Sequence, residues 1–307
     1  MILLEDGDYL NEKTVCALGL FDGVHTGHRL IINKAVSLAE EKGMKSAVFC
    51  FKTNTVTSKS KQGELLSDEE KLKEFEKLKV DYVYSPDFSL FREMSPEDFV
   101  TQVLCKKLKC ACAVCGTDFT FGKFAEGRAE DLEKYGQAFE MKSMIMEKIC
   151  DDGEEVSSTS IRNHIKSGEI SRANKLLGYR FGYSLEVVHG FEVGRKWGFP
   201  TINQKIPEGR IVPAYGVYCS TVEFDGKKYH GVTNIGVKPT VEKDIKEPLA
   251  ETYIIDFDGD LYGKTVRTEL YEFIRREKKF DDFGQLKNEI IRNTEYTRKY
   301  FELNGNV

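Results

Sequence analysis

GLFDGVHTGH, residues 19–28, follows the apolar run Thr14 to Leu18 and leads into a stretch from about Gly27 to Lys42. In that stretch Leu30, Ile31, Ala35, Leu38 and Ala39 share one helical face. The pattern predicts a buried strand that turns through glycines into a helix. A helix N-terminus offers free N–H donors and a partial positive charge, and phosphate is attracted to both. Gly19, Gly23 and Gly27 let backbone approach a ligand without a Cβ in the way. His25 and His28 are three apart, so both can face one point above the turn. Two imidazoles there can donate hydrogen bonds to a triphosphate and stabilise charge developing at its α-phosphorus.

Working outward, the first half alternates apolar runs with helical patterns. Strands are expected at Ser46 to Phe51, Asp81 to Tyr84, Cys110 to Cys115 and Met144 to Ile149. Ser67 with Glu70 forms a capping-box pattern for a helix running to about Leu78, and Ser95 with Pro96 opens another. Two short helices, about Ser158 to Lys166 and Glu169 to Leu177, end at Gly178. Strand–helix alternation implies a parallel sheet covered by helices. The polar stretch Lys52 to Gly63 reads equally as a flap or as an ordinary surface loop.

After about Phe181 the rhythm changes. Strand-like runs at Ser184 to His189, Val217 to Phe224, Tyr229 to Ile235, Glu251 to Phe257 and Thr265 to Phe273 are separated by turns, with Asp225-Gly226 a hairpin signal. A helix is expected only at about Asp282 to Glu302. The fold class is therefore an α/β domain, residues 1–181, followed by an antiparallel β-barrel with a terminal helix, residues 182–307.

The 307 residues carry 45 Lys and Arg against 50 Asp and Glu, a formal net charge of -5. That balance argues against a general nucleic-acid or anionic-membrane partner, because both need a net basic face. No run reaches the roughly 18 apolar residues of a membrane span. Eight cysteines are too sparse for a disulfide scaffold, so a reducing cytoplasm is the expected location. Cys105, Cys110, Cys112 and Cys115 suggest a metal by spacing. Strand alternation puts 110 and 112 on one face and 115 on the other, which suits buried small hydrophobes better.

A second glycine-rich stretch, HGFEVGRKWGFPTIN, spans 189–203. Gly190, Gly194 and Gly198 again suggest close backbone approach, but no Gly-Lys-Ser/Thr closes a Walker loop. Thr201 and Asn203 point to the same side of an extended strand. Their hydroxyl and amide oxygens suit Mg²⁺ held with ATP, although a plain turn and strand would read the same.

The decapeptide resembles the H-x-G-H nucleotidyltransferases. Its fuller form, with Gly19, Phe21, Asp22 and Gly23, resembles the N-terminal domain of bacterial bifunctional riboflavin kinase/FAD synthetases. VCGTDFTFG matches that family at Gly116, Asp118, Phe119, Phe121 and Gly122, and VSSTSIRNHIKSG matches at Ser157, Ser158, Thr159, Ile161 and Arg162. Ser158 or Thr159 can cap the following helix, and Arg162 can reach phosphate or form a surface ion pair. The second half resembles riboflavin kinase at Gly194, Arg195, Gly198, Pro200, Thr201 and Asn203. The likeness continues in G-V-Y at 216–218, N-I-G-x-x-P-T at 234–240, D-x-Y-G-K at 260–264 and R-x-E-x-x-F from Arg275 to Phe280. The resemblance implies a Rossmann-like domain that adenylylates FMN, with His25, His28 and Arg162 holding charge. It implies a barrel that phosphorylates riboflavin, with Thr201 and Asn203 at the Mg–nucleotide site and Glu251 as base. ATP, riboflavin, FMN and FAD are the implied partners. Read alone, Glu251 is only a carboxylate on a strand. One departure concerns the segment after the second strand, where the family's F-x-P-H-P is replaced by Phe51, Lys52, Thr53, Asn54 and Thr55. Asn54 cannot carry positive charge near neutral pH. A riboflavin kinase with a weak or inactive first domain is the alternative; a non-enzymatic flavin carrier or RNA-binding regulator is a third reading.

Overall fold

Thr14–Leu18 (β2) is buried at every position, as expected of a strand at the centre of a covered parallel sheet. The computed structural model describes residues 1–53, 62–190, 198–238 and 247–305. The first unit, Met1–Ser160, is built on β1 (Ile2–Leu4), β2, β3 (Lys45–Phe49), β4 (Tyr82–Tyr84), β5 (Cys110–Gly116) and β6 (Lys142–Met146). Their order is β1-β4-β3-β2-β5-β6 with every neighbouring pair parallel. Cys16, Leu18, Ala47 and Phe49 enter a core with Phe99, Val100, Val103 and Leu104. The intervening Val15, Ala17 and Val48 are buried as well, and α1 (Thr26–Glu41) packs on β2, β3 and β5.

Helix α2 (Asp68–Lys77) starts at the expected Ser67–Glu70 capping box. The helix opened by Ser95 and Pro96 continues with π-type hydrogen bonding over Phe99–Lys107, which side-chain periodicity did not signal. In β5 a register shift places one extra residue between Cys110 and Cys112. This corrects the expected alternation. The bulge brings Cys110 into the core with Ala113, Cys115, Cys16 and Cys105, and Cys112 is not part of that cluster. All eight thiols are free, and the described residues contain no metal-binding group of three or more His, Cys, Asp or Glu.

The second unit runs from Ile161 to Val307. Helix α3 (Ser158–Ser167) crosses the division, and α4 (Ile170–Leu177) ends at Gly178 with φ +77. The division precedes the change of sequence rhythm because α4 packs on the barrel. Asn174 Nδ2 donates to Leu270 O at 2.8 Å, and Phe181 N–H donates to Asn174 Oδ1 at 2.7 Å.

The barrel comprises β7 (Gly182–Glu186), β8 (Thr201–Lys205), β9 (Gly216–Phe224), β10 (Lys227–Lys238), β11 (Glu247–Ile254) and β12 (Thr265–Arg276). Their antiparallel order is β7-β12-β9-β10-β11-β8. The circle closes where Val188 N–H donates to Asn203 O at 2.8 Å and Gln204 Nε2 donates to Leu185 O at 2.9 Å. Inside, the Thr233 hydroxyl contacts Ser220 Oγ at 2.7 Å and Thr252 Oγ1 at 2.8 Å. Asp225 and Gly226, at φ 48 and 70, make the expected tight β9–β10 turn. Helix α5 (Phe283–Asn304), capped by Asp282, packs on β9 and β10 and stacks Phe301 on His230.

Candidate active sites

In the first unit, β3 and β5 flank β2, so the chain leaves β2 at a topological switch point. Crevices outside the carboxyl ends of strands at such points are where open α/β sheets take ligands. GLFDGVHTGH begins there, and Gly116 of the second motif ends β5 beside it. Phe21 is buried with φ 49 and Val24 with φ 36, so the turn is held in a sparsely populated conformation. Gly23 has φ +82, and a Cβ there would sit 2.6 Å from Leu65 Cδ1, which leaves only glycine. Asp22 accepts from Leu65 N–H through its carboxylate at 3.2 Å and from the Ser158 hydroxyl through its carbonyl at 2.9 Å.

His25 and His28 come together, with ring centroids 3.5 Å apart and planes 21° from parallel. Their environments differ. His25 is 5% exposed and caps α1, its Nδ1 accepting the His28 N–H at 3.3 Å. An accepting Nδ1 makes Nε2 the donating nitrogen of the neutral ring. His28 is half-buried, edge-on to Phe21 at 5.3 Å. Gly19 closes β2 through an N–H bond to Phe49 O, and Gly27 lies in the first turn of α1.

Asp118 is exposed beside Lys148, 3.6 Å away, and Phe119 stacks on Phe121. The expected cap of α3 is corrected: Ser157, not Ser158 or Thr159, accepts the Ser160 N–H, at 3.2 Å. Helix α3 starts at Ser158, so Ser157 occupies the capping position. Thr159 is exposed, and Arg162, one turn along, is 3% exposed. Asn54 lies outside the described residues.

In the barrel, one row crosses five strands: Arg275, Val217, Asn234, Glu251 and Asn203 are consecutive cross-strand partners. Directly opposite residues project from the same face. Thr201, two before Asn203, shares that face, and its hydroxyl donates to Glu251 Oε1 at 3.0 Å. Asn203 is 4% exposed. A Cβ on Gly190 would lie 2.5 Å from Asn203 Nδ2, so the bare backbone at Gly190 makes room for that amide. Gly198 and Pro200 are exposed just before β8, and Gly194 and Arg195 lie outside the described residues.

Arg275 stands at the other end of that row from Asn203. Four strand spacings of about 4.8 Å separate it from Asn203 along the row. It forms an ion pair with Glu289 of α5 at 2.9 Å. Lys278, the first of several cations and donors at Glu289, holds that carboxyl below the ordinary range. Asn234, quoted only as part of a motif, emerges opposite Glu251 and donates to Glu277 at 3.3 Å. The motif was visible in sequence; the register that gives Asn234 its place was not.

The FAD synthetase family model matches residues 8–160, and the riboflavin kinase model matches residues 177–301. The bifunctional riboflavin kinase/FMN adenylyltransferase of Bacillus subtilis is 36% identical over 299 residues, 94% of this chain and 93% of that protein. This chain belongs to the bifunctional riboflavin kinase/FMN adenylyltransferase family. The Escherichia coli K12 member is 33% identical, covering 95% of this chain and 94% of its own. A crystal structure described as a macrolide-efflux protein from Streptococcus pneumoniae is 30% identical, with a TM-score of 0.87 over 97% of this chain and 98% of that one. Its description names transport, whereas both family models and the curated family members name transferases. Among the described residues no helix is long and apolar enough to cross a membrane.

Proposed function

We propose that the barrel transfers the γ-phosphoryl group of ATP to riboflavin, and that the α/β unit transfers the adenylyl group of a second ATP to the FMN so formed. The functional boundary is placed near residue 181. The observation that carries the kinase half is the Thr201 hydroxyl on Glu251 at 3.0 Å with Asn203 in register beside them. A carboxylate oriented by a neighbouring hydroxyl on a firm sheet can take the proton from a primary alcohol as its oxygen attacks phosphorus. ADP leaves, and the γ-phosphoryl group stays on the riboflavin oxygen.

Thr201, Asn203 and Glu251 offer a hydroxyl, an amide carbonyl and a carboxylate. This hard-oxygen set, without thiolate or imidazole, fits Mg²⁺. Thr201 and Asn203 would hold the ion with the nucleotide, where it would supply neutralisation of phosphate charge. Gly190 supports the site by leaving space for the Asn203 amide.

In the α/β unit, a phosphate oxygen of FMN attacks the α-phosphorus of ATP and pyrophosphate leaves. His25 Nε2–H and His28 would donate to the charge that develops, a reading supported by their stacked rings at the α1 N-terminus. Arg162 on α3 is assigned to phosphate, and Ser158 ties the start of that helix to the glycine turn at Asp22. The eight free thiols suit a reducing cytoplasm.

Incubation with riboflavin, ATP and Mg²⁺, followed by chromatography of the flavins, tests both halves. FAD is expected. FMN alone would favour the kinase-only reading; unchanged riboflavin would refute the kinase, and the same assay with supplied FMN then decides the adenylyltransferase.

A further inference from the structure

A lysine almost never loses its solvent unless its charge is paired, yet the Lys71 side chain on α2 is 2% exposed. Its ammonium has three protons and meets three acceptors: Phe51 O at 3.0 Å, Thr53 Oγ1 at 3.1 Å and Asp68 Oδ1 at 3.1 Å. Asp68 also accepts from Thr53, through N–H at 3.0 Å and hydroxyl at 2.7 Å. Phe51 and Thr53 belong to the chain leaving the carboxyl end of β3, next to β2 at the switch point. The entry to α2 is bound to the glycine turn, because Leu65 N–H donates to Asp22 Oδ1 and its methyl fills the space beside Gly23. One network thus joins the β3 exit, the start of α2 and the GLFDG turn.

Buried ion pairs are poor stabilisers, since an apolar side chain of similar volume avoids their desolvation. A charge placed here is better explained by what it holds in register than by stability. Burial opposes the ammonium, but Cys50 first, then Asp68 and Asp22, act the other way and hold Lys71 above the ordinary lysine value.

We propose that Lys71 is a positioning residue for adenylyl transfer, fixing the β3 exit and the Asp22 turn in the single arrangement that accepts ATP. The inference rests on the adenylyltransferase reading above. Misplacement of about 1 Å at a reacting centre can cost on the order of 100-fold in rate, so the effect should be read in nucleotide kinetics.

The full-length chain is compared with Lys71→Met, which keeps the volume, and with the double variant Lys71→Met/Asp68→Asn, which also removes the abandoned charge. Both variants are expected to raise KM for ATP in FMN adenylylation at least about tenfold, while riboflavin phosphorylation stays within about twofold. Should the single variant fold poorly, the double variant decides. A double variant with wild-type KM would overturn the proposal, because Lys71 would then only neutralise Asp68. So would a fall in kcat that tracks the folded fraction at unchanged KM. Wild-type protein that makes no FAD from FMN would instead overturn the adenylyltransferase reading, and this inference with it.

Discussion

Thr201 and Glu251 face each other between neighbouring barrel strands, hydroxyl to carboxylate at 3.0 Å. The contact follows from register. Asn203 lies directly opposite Glu251 and Thr201 opposite Tyr253, so Thr201 meets Glu251 on the diagonal. Two residues 50 positions apart in the chain become one chemical unit because β8 pairs with β11 at that offset.

Replacing Glu251 by Gln keeps shape and hydrogen bonding but removes the proton acceptor. FMN formation is expected to fall by about 10²- to 10⁴-fold, while adenylylation of supplied FMN continues at the wild-type rate. Unchanged kinase turnover would remove Glu251 from the role of base.

Gly190→Ala puts a methyl 2.5 Å from the Asn203 amide nitrogen. Asn203 is buried, so it must shift, at a cost of roughly 1–3 kcal/mol. Weaker MgATP use by the kinase is expected, by about 2- to 13-fold in KM if half of that cost falls on binding. Kinetics on riboflavin at varied MgATP would reveal it, and an unaltered KM would mean that Asn203 does not contact the nucleotide.

The capping of α1 by His25 is separable from its proposed role as donor. His25→Ala should lose about 1 kcal/mol of stability with the cap, whereas His25→Asn, a good capping residue, should lose little. Both should lower FAD formation by about 100-fold or more. Thermal unfolding read beside adenylylation separates the two; an active Asn variant would leave His25 only the structural duty.

Seven of the eight thiols are buried and Cys150 alone is exposed. Burial pushes Cys105 up to about 11 and Cys115 and Cys219 up to about 12. At pH 8 these groups remain thiols and should be unreactive. Titration with a chromogenic disulfide is expected to find one fast equivalent in native protein and eight in denaturant. Two or more fast equivalents would show that the core around Cys110 opens readily.

Much of this was legible because local chemistry and tertiary structure agree. The Ser67–Glu70 box, Asp225-Gly226 and the glycine stop at Gly178 each act within a few residues, and the structure realises all three. The same holds for the decapeptide, whose strand-to-helix turn needs only adjacent residues. What was hidden depends on partners far along the chain. The extra residue in β5 reverses which cysteines share a face, and nothing in CACAVC marks it. Ser157 takes the cap because α3 begins at Ser158, one residue earlier than a Ser158 cap would need and two earlier than a Thr159 cap would. Lys71 carries no sign of burial beyond an aspartate three positions before it. The ion pair of Arg275 with Glu289 joins β12 to α5, and neither residue's neighbours announce the other.

The hydroxyl trio within the barrel has a bearing on chemistry at its outer face. Thr252 is the residue after Glu251, and its bond to Thr233 pins β11 to β10 from behind. A slide of one position would swing every side chain of β11 to the other face, taking the carboxylate out of reach of Thr201. The lining therefore acts as a ratchet pawl for the outer surface, holding Glu251 to Thr201 from a side that neither of them faces.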